Sequence, residues 1–189
     1  MAKRKSIKSF DRTHRNLPHW QEPGSVYFIT WNTIDNRNLT PEEKTITLGA
    51  IQFWNNTRWT VFTSVVMPDH VHVLVQPLRM IDEEQAPKPS PVTQPIAAGD
   101  VRGFWPLSVL LHSVKSYSAH EIAKTRGRKG SVWLDERYDR IMRDDEEFWL
   151  RWQYIRDNPV KAELARAPEE YEWFYQQSGL EGPDQGATG

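Results

Sequence analysis

Short runs of β-branched and aromatic residues mark the first half of the chain. The segments "SVYFITWNT" (25–33) and "RWTVFTSVVM" (58–67) have the composition of strands. Pro68 and Asp69 make a tight turn after the second run, and a third strand follows directly at 70–76. The pattern therefore predicts three strands, of which the second and third are joined by this turn.

Helical patterns alternate with the strands. The segment 40–56 predicts a helix that Thr40 caps, with a proline in its first turn. A second helix is expected to begin at Pro106, within "FWPLSVLLHSVKSYSAHEIAKTRGRKG", and to end at the basic turn that contains glycine. The segment "SVWLDERYDRIMRD" (131–144) predicts one or two short strands after it.

A third helix is predicted over "DDEEFWLRWQYIRDNP" (144–159). Asp144 or its neighbour serves as the cap, and Asn158-Pro159 is expected to stop the helix. Tyr154 lies off the apolar stripe of this helix, so we interpret it as a surface or packing residue. The order of elements predicts an α+β fold in which an antiparallel sheet is covered by helices on one face.

The chain is predicted to form a single domain with two tails. Residues 1–22 are a basic polar tail, 23–178 the domain and 179–189 a flexible tail. The Pro-rich stretch 78–104 lacks periodicity and is interpreted as an insert within the domain.

Composition narrows the class of protein. The 189 residues carry a formal net charge of -1 and no cysteine, which excludes disulfides, cysteine-ligated zinc and thiol nucleophiles. No apolar run approaches the ~18 residues of a membrane span, and the basic N-terminus lacks the apolar stretch of a signal peptide. We therefore expect a cytoplasmic protein with no membrane partner.

Basic residues are clustered although the net charge is close to zero. One cluster lies near the N-terminus, and another lies in and after the helix that follows Pro106. Local clusters of this kind matter more for a polyanionic partner than the total charge, although a basic tail can also serve solubility alone. The residues expected to bind a DNA backbone are Lys3, Arg4, Lys5, Lys115, Lys124, Arg126, Arg128 and Lys129.

Two histidines begin the third strand. In a strand, residues i and i+2 point to the same side, so Val71, Val73 and Val75 share one face, which we assign to the core. His70 and His72 project together from the other face. Two imidazoles at this spacing can bind one metal ion.

The helix after Pro106 offers a third ligand and a nucleophile. Glu121 lies in its core-facing half, where a carboxylate is unfavourable unless something pairs with it. Tyr117 lies one turn earlier, at the edge of the apolar stripe. We therefore predict a divalent cation, Mg²⁺ or Mn²⁺, bound by His70, His72 and Glu121. The hydroxyl of Tyr117 would attack a DNA phosphate beside it.

Four segments in a fixed order resemble a known family. They are "MPDHVHVLV", "KSYSAHEI", "GSVWLDERYDRIMRDDEEF" and "YIRDNPVKAEL", of which the first and last are the most distinctive. In this order they are similar to the IS200-like transposases with a histidine–hydrophobic–histidine (HUH) motif, and most similar to the REP-associated tyrosine transposase branch. The resemblance covers roughly residues 20–175, which is nearly the whole domain.

The resemblance implies a ferredoxin-like fold and cleavage of single-stranded, hairpin-forming DNA. The implied product is a 5′-phosphotyrosine link with a free 3′-OH, which permits strand transfer. By position, His70 and His72 are the paired metal ligands, Tyr117 is the nucleophile and Glu121 takes the place of a polar third ligand. The family contains monomers as well as homodimers that exchange their tyrosine helices.

Two other functions fit the same residues. The fold could serve only to bind DNA hairpins, with nicking lost, although an intact His70, His72 and Tyr117 argue against this. A small metallohydrolase is the other alternative, but the chain is too short for the barrel in which such motifs find further ligands. Tyr138 and Tyr154 are rival nucleophiles, which we interpret as packing or surface residues.

Overall fold

The computed structural model describes residues 24–80, 103–127 and 130–182. The predicted N-terminal tail lies outside these residues, as do most of the Pro-rich insert and the end of the C-terminal tail. None of the helices described is long and apolar enough to cross a bilayer. In chain order the main elements are β1 (Tyr27–Thr33), α1 (Pro41–Gln52), β2 (Trp59–Val66), β3 (His70–Pro77), α2 (Leu107–Thr125), β4 (Trp133–Ile141), α3 (Asp145–Lys161) and β5 (Phe174–Gln176).

The five strands form one antiparallel sheet in the order β4-β1-β3-β2-β5. The central strand is β3, which lies between β1 and β2. The register places Thr30 of β1 between His72 of β3 and Tyr138 of β4. The predicted α+β fold is confirmed, and β5 is a strand that the sequence did not indicate because it spans only three residues.

The first face of the sheet carries the valines of β3, and α1 and α2 cover it. Val71, Val73 and Val75 are fully buried in one core with side chains of both helices. The stripe of α2 that enters this core is the predicted one, with Leu107, Leu110, Leu111, Val114, Ser118 and Ile122. This packing holds α2 on the valine side of the sheet.

The second face carries the alternate residues of the same strands, and α3 packs on it. Trp152 and Ile155 of α3 are buried together with Phe28 of β1 and Leu74 of β3. The predicted packing of helices on one face therefore holds for α1 and α2, whereas α3 covers the opposite face. The physical reason is that β3 is apolar on both sides, with Leu74 as well as the valines, so both faces need a cover.

A buried carboxylate joins the start of α1 to the end of α2. Thr40 and Glu43 form a capping box, with backbone-to-side-chain distances of 3.0 and 3.3 Å. Glu43 is 1% exposed. Its carboxylate also accepts from the guanidinium groups of Arg37, at 3.0 Å, and Arg126. Two cations thus surround one buried anion, which fixes both helix ends to the loop after β1.

The third helix runs further than its sequence predicts. Asp144 caps it, because its side chain accepts from the backbone N–H of Glu147 at 2.8 Å. The predicted stop at Asn158-Pro159 is wrong, since α3 continues through Pro159 to Lys161. Pro159 lies in the last turn of α3 and its ring is buried. Because proline has no backbone N–H, the helix loses one hydrogen bond, but it does so close to its end.

Candidate active site

The two histidines lie side by side on the second face, at the start of the central strand. Their ring centroids are 4.7 Å apart. His70 is the first residue of β3, directly after the turn at Pro68 and Asp69, and His72 is 5% exposed. The pair thus projects from the face opposite the valines, as the strand pattern predicts.

Each histidine is oriented through its Nδ1 atom. Nδ1 of His72 lies 2.7 Å from Oγ1 of Thr30, and Nδ1 of His70 lies 2.6 Å from Oδ1 of Asp69. The Nε2 atom of His72 is buried and finds no hydrogen-bond partner in the described part of the chain. Burial, together with the charges of His70 and Arg151, lowers the pKa of His72 to about 3. The ring is therefore neutral at neutral pH.

These features fit a metal-binding pair. Histidines that bind a metal commonly donate their other ring N–H to a carboxylate or another oxygen, which fixes the ring. Asp69 and Thr30 supply such oxygens, and the buried Nε2 of His72 is an atom that a cation would satisfy. Among residues 24–80, 103–127 and 130–182 no group of three or more His, Cys, Asp or Glu side chains is arranged to hold a metal ion, so a third ligand of these types does not complete the pair.

An aromatic cluster connects the histidines to α3. The ring of Tyr154 packs edge-on against His72, with 5.2 Å between centroids. Phe28 stacks on His72 at 5.5 Å and contacts Tyr154 at 5.8 Å. The guanidinium of Arg151 lies over the ring of Phe28, 5.1 Å from its centre. Tyr154 is 39% exposed, so it reaches both the histidines and solvent.

The fold does not bring Tyr117 and Glu121 to this cluster. They lie on α2, whose apolar stripe occupies the valine face, so the sheet separates them from His70 and His72. Tyr117 is 57% exposed, and Glu121 forms an ion pair with Lys124 at 2.7 Å. The predicted ligand set of two histidines and Glu121 is therefore not assembled in the part of the chain that the structure describes.

The predicted DNA-binding residues fall into three groups. The Nζ atom of Lys115 donates to two backbone carbonyls of β4, at 2.6 and 3.3 Å, and Arg126 binds Glu43, so both residues contribute to the fold. Lys124 is exposed beside its acidic partner. The remaining members lie outside the described residues: Lys3, Arg4, Lys5, Arg128 and Lys129.

Sequence reasoning missed Tyr154 as the neighbour of the histidines. Its position beside the apolar stripe of α3 indicated only a surface or packing residue. Two features are consistent with α3, although neither selects it from the sequence alone. First, a helix that packs on the valine face cannot reach side chains on the opposite face of the sheet. Second, Arg151, Tyr154 and Asn158 are three and four residues apart in sequence, a spacing that places them on one side of a helix.

Comparisons with known proteins identify the fold. No family model and no curated protein matches the chain. The structure is similar to that of a REP-associated tyrosine transposase bound to a REP hairpin, with a TM-score of 0.58 and 16% identity over 89% of this chain and 82% of that chain. A protein from Deinococcus radiodurans R1 that is assigned as a transposase gives a TM-score of 0.40 and 16% identity, over 71% of this chain and 91% of that chain. The first likeness shows that this chain shares its fold with a REP-associated tyrosine transposase, the branch to which the four sequence segments were most similar.

Proposed function

We propose that the protein is a metal-dependent single-stranded DNA endonuclease and strand transferase that acts on hairpin-forming, REP-like DNA. The fold supports a transposase-type function, and the similar structure holds a REP hairpin. The observation that carries the proposal is the 5.2 Å contact between the rings of Tyr154 and His72, because it places a candidate nucleophile beside the proposed metal-binding pair. A protein that uses such DNA is expected in the cytoplasm.

In this proposal Tyr154 takes the role that the sequence assigned to Tyr117. A phenol is a weak nucleophile at neutral pH, so it needs a polarised phosphate held beside it. Tyr154 meets this requirement because it contacts the histidine pair and is partly exposed to solvent. Nucleophile and histidines belong to one chain, so the site does not require two subunits to exchange helices.

The histidines would hold a divalent cation, Mg²⁺ or Mn²⁺, through their Nε2 atoms. Asn158 lies one helical turn beyond Tyr154, and its Nδ2 donates to the carbonyl oxygen of Tyr154 at 2.6 Å. Its amide oxygen is therefore a candidate third ligand of the kind these cations accept. When bound, the cation would withdraw charge from the phosphate and stabilise the leaving oxygen.

The reaction proceeds by transfer of the phosphate to the protein. The hydroxyl oxygen of Tyr154 attacks phosphorus, the bond from phosphorus to the 3′ oxygen breaks, and a 5′-phosphotyrosine forms. The phenol proton passes to water, and the departing 3′ oxygen takes up a proton to give a free 3′-OH. Attack of a 3′-OH on the phosphotyrosine rejoins DNA and restores Tyr154.

Incubation with Mn²⁺ and a hairpin oligonucleotide labelled at its 3′ end, followed by a denaturing gel, tests this proposal. We expect a covalent protein–DNA band that requires a divalent ion. The double variant His70→Ala, His72→Ala should bind the hairpin without forming the band. Binding by the wild type with no band would instead indicate a non-catalytic hairpin-binding module. Cleaved DNA with no band would indicate a hydrolase.

A further inference from the structure

Arg151 places a cation next to the proposed nucleophile. It lies three residues before Tyr154 on α3, so the two side chains share one face of the helix. The guanidinium carbon of Arg151 is 5.1 Å from the ring centre of Phe28. Phe28 stacks on His72 at 5.5 Å and contacts Tyr154 at 5.8 Å. One aromatic ring therefore contacts the arginine, the proposed nucleophile and one of the proposed metal ligands.

The charge of Arg151 has no acidic partner in the described part of the chain. Two other arginines around α3 do have one: Arg140 binds Glu147 and Arg156 binds Glu169. The contact that fixes Arg151 is with an apolar ring, which holds the guanidinium but does not neutralise it. A positioned guanidinium with no counter-ion is suited to an anionic ligand, and its planar fork matches two oxygens of a phosphate.

We propose that Arg151 binds a non-bridging oxygen of the scissile phosphate and offsets the negative charge of that phosphate when Tyr154 attacks. This inference rests on the proposed function. Phosphoryl transfer is accelerated mainly by positioning and by charge stabilisation, which a cation one helical turn from the nucleophile supplies without covalent chemistry. Arg151 would thus act on the phosphate from the helix side, opposite the sheet that carries His72.

A purely structural role for Arg151 can be separated from this one. If its only task were to cover Phe28, the aliphatic part of the side chain would suffice. Methionine has a similar unbranched stem and a similar helix propensity, so Arg151→Met keeps the cover and removes the charge. Lys161→Met is the matched control, because it removes one charge from the same helix, where Lys161 pairs with Asp157 at 3.2 Å.

The decisive experiment compares adduct formation on two hairpin oligonucleotides under single-turnover conditions. One carries the ordinary phosphodiester at the scissile position, and the other a neutral methylphosphonate. We expect Arg151→Met to be slower than the wild type by about 100-fold or more on the phosphodiester. On the methylphosphonate, which carries no formal negative charge before attack, the two proteins should differ by no more than about threefold. Equal slowing on both substrates would overturn the inference.

Binding in EDTA gives a second readout that needs no catalysis. The wild type and Lys161→Met should bind the phosphodiester hairpin more tightly than the methylphosphonate one, and Arg151→Met should lose this preference. A preference retained by Arg151→Met would contradict the inference. If the wild type forms no adduct, the proposed function and the inference fail together. If the wild type forms the adduct and Arg151→Met keeps the full rate, the inference alone fails.

Discussion

The ring of Tyr154 on α3 contacts the ring of His72 on the central strand, with 5.2 Å between their centroids. The contact exists because β3 has apolar residues on both faces, so a helix is needed on each side of the sheet. On one side α2 completes a core around Val71 and its neighbours. On the other side, His70 and His72 lie at the start of β3, and Tyr154 and Arg151 are the α3 side chains on the same face.

Thr30 is expected to tune the affinity for a metal ion, because its hydroxyl lies 2.7 Å from Nδ1 of His72. The nearly isosteric change Thr30→Val removes this oxygen and leaves the ring less firmly oriented. Loss of such a partner typically weakens metal binding by about 10–100-fold. Titration with Mn²⁺, followed by calorimetry or electron paramagnetic resonance, measures the effect.

Thr60→Val is the control for this prediction. Thr60 is a half-buried threonine of β2 that lies away from His72, so its replacement should leave the affinity for Mn²⁺ unchanged. An affinity in Thr30→Val equal to that of the wild type would show that Thr30 does not orient the ligand.

The stability of the metal-free protein should fall on acidification because of His72. Its pKa is lowered from 6.5 to about 3 in the folded protein, mainly by burial. Between these values the unfolded chain binds a proton that the folded protein excludes, so unfolding becomes easier as the pH falls. This group contributes at most about 1.4 kcal/mol per pH unit.

Urea unfolding in EDTA, from about pH 7 down to about pH 5, checks this dependence. Carboxylates also titrate at the lower end of the range, so the informative quantity is the difference between the wild type and His72→Gln. The variant should show a shallower fall in the free energy of unfolding. The same slope in both proteins would mean that His72 is not buried in its neutral form.

Glu43 is expected to be a strong determinant of stability, although it has no part in the reaction. The change Glu43→Gln preserves the capping box but leaves Arg37 and Arg126 without their anion. We expect a loss of about 2–4 kcal/mol in the free energy of unfolding, since removal of one partner from a buried ion pair is strongly destabilising. Glu42→Gln, at the exposed neighbour, should cost less than about 0.5 kcal/mol. Equal losses would contradict this role.

Several elements could be predicted from sequence because independent local signals coincide there. Thr40 and Asp144 each have a side chain that can cap a helix, and each is followed by apolar residues at helical spacing. The structure begins α1 directly after Thr40 and α3 directly after Asp144. The alternation in β3 correctly separates the valines from the histidines. These are properties of short segments, which neighbouring residues along the chain largely determine.

The partner of the histidines could not be predicted from such local signals. Tyr117 and Tyr154 both lie on amphipathic helices, and each has a polar residue one turn later, Glu121 or Asn158. Which helix covers which face of the sheet is a tertiary property, decided by how much apolar surface each face must bury. The continuation of α3 past Pro159 depends in the same way on packing, since the ring of this proline is buried.

The most direct test of the central claim is to locate the DNA-linked tyrosine. Tyr154→Phe and Tyr117→Phe each lose one oxygen and keep an aromatic ring, so both variants should fold and bind the hairpin as the wild type does. We predict that Tyr154→Phe forms no covalent adduct, that Tyr117→Phe forms it at the wild-type rate, and that peptide mapping of the wild-type adduct finds the phosphate on Tyr154. An active Tyr154→Phe protein, or a phosphate mapped to Tyr117 or Tyr138, would contradict the account.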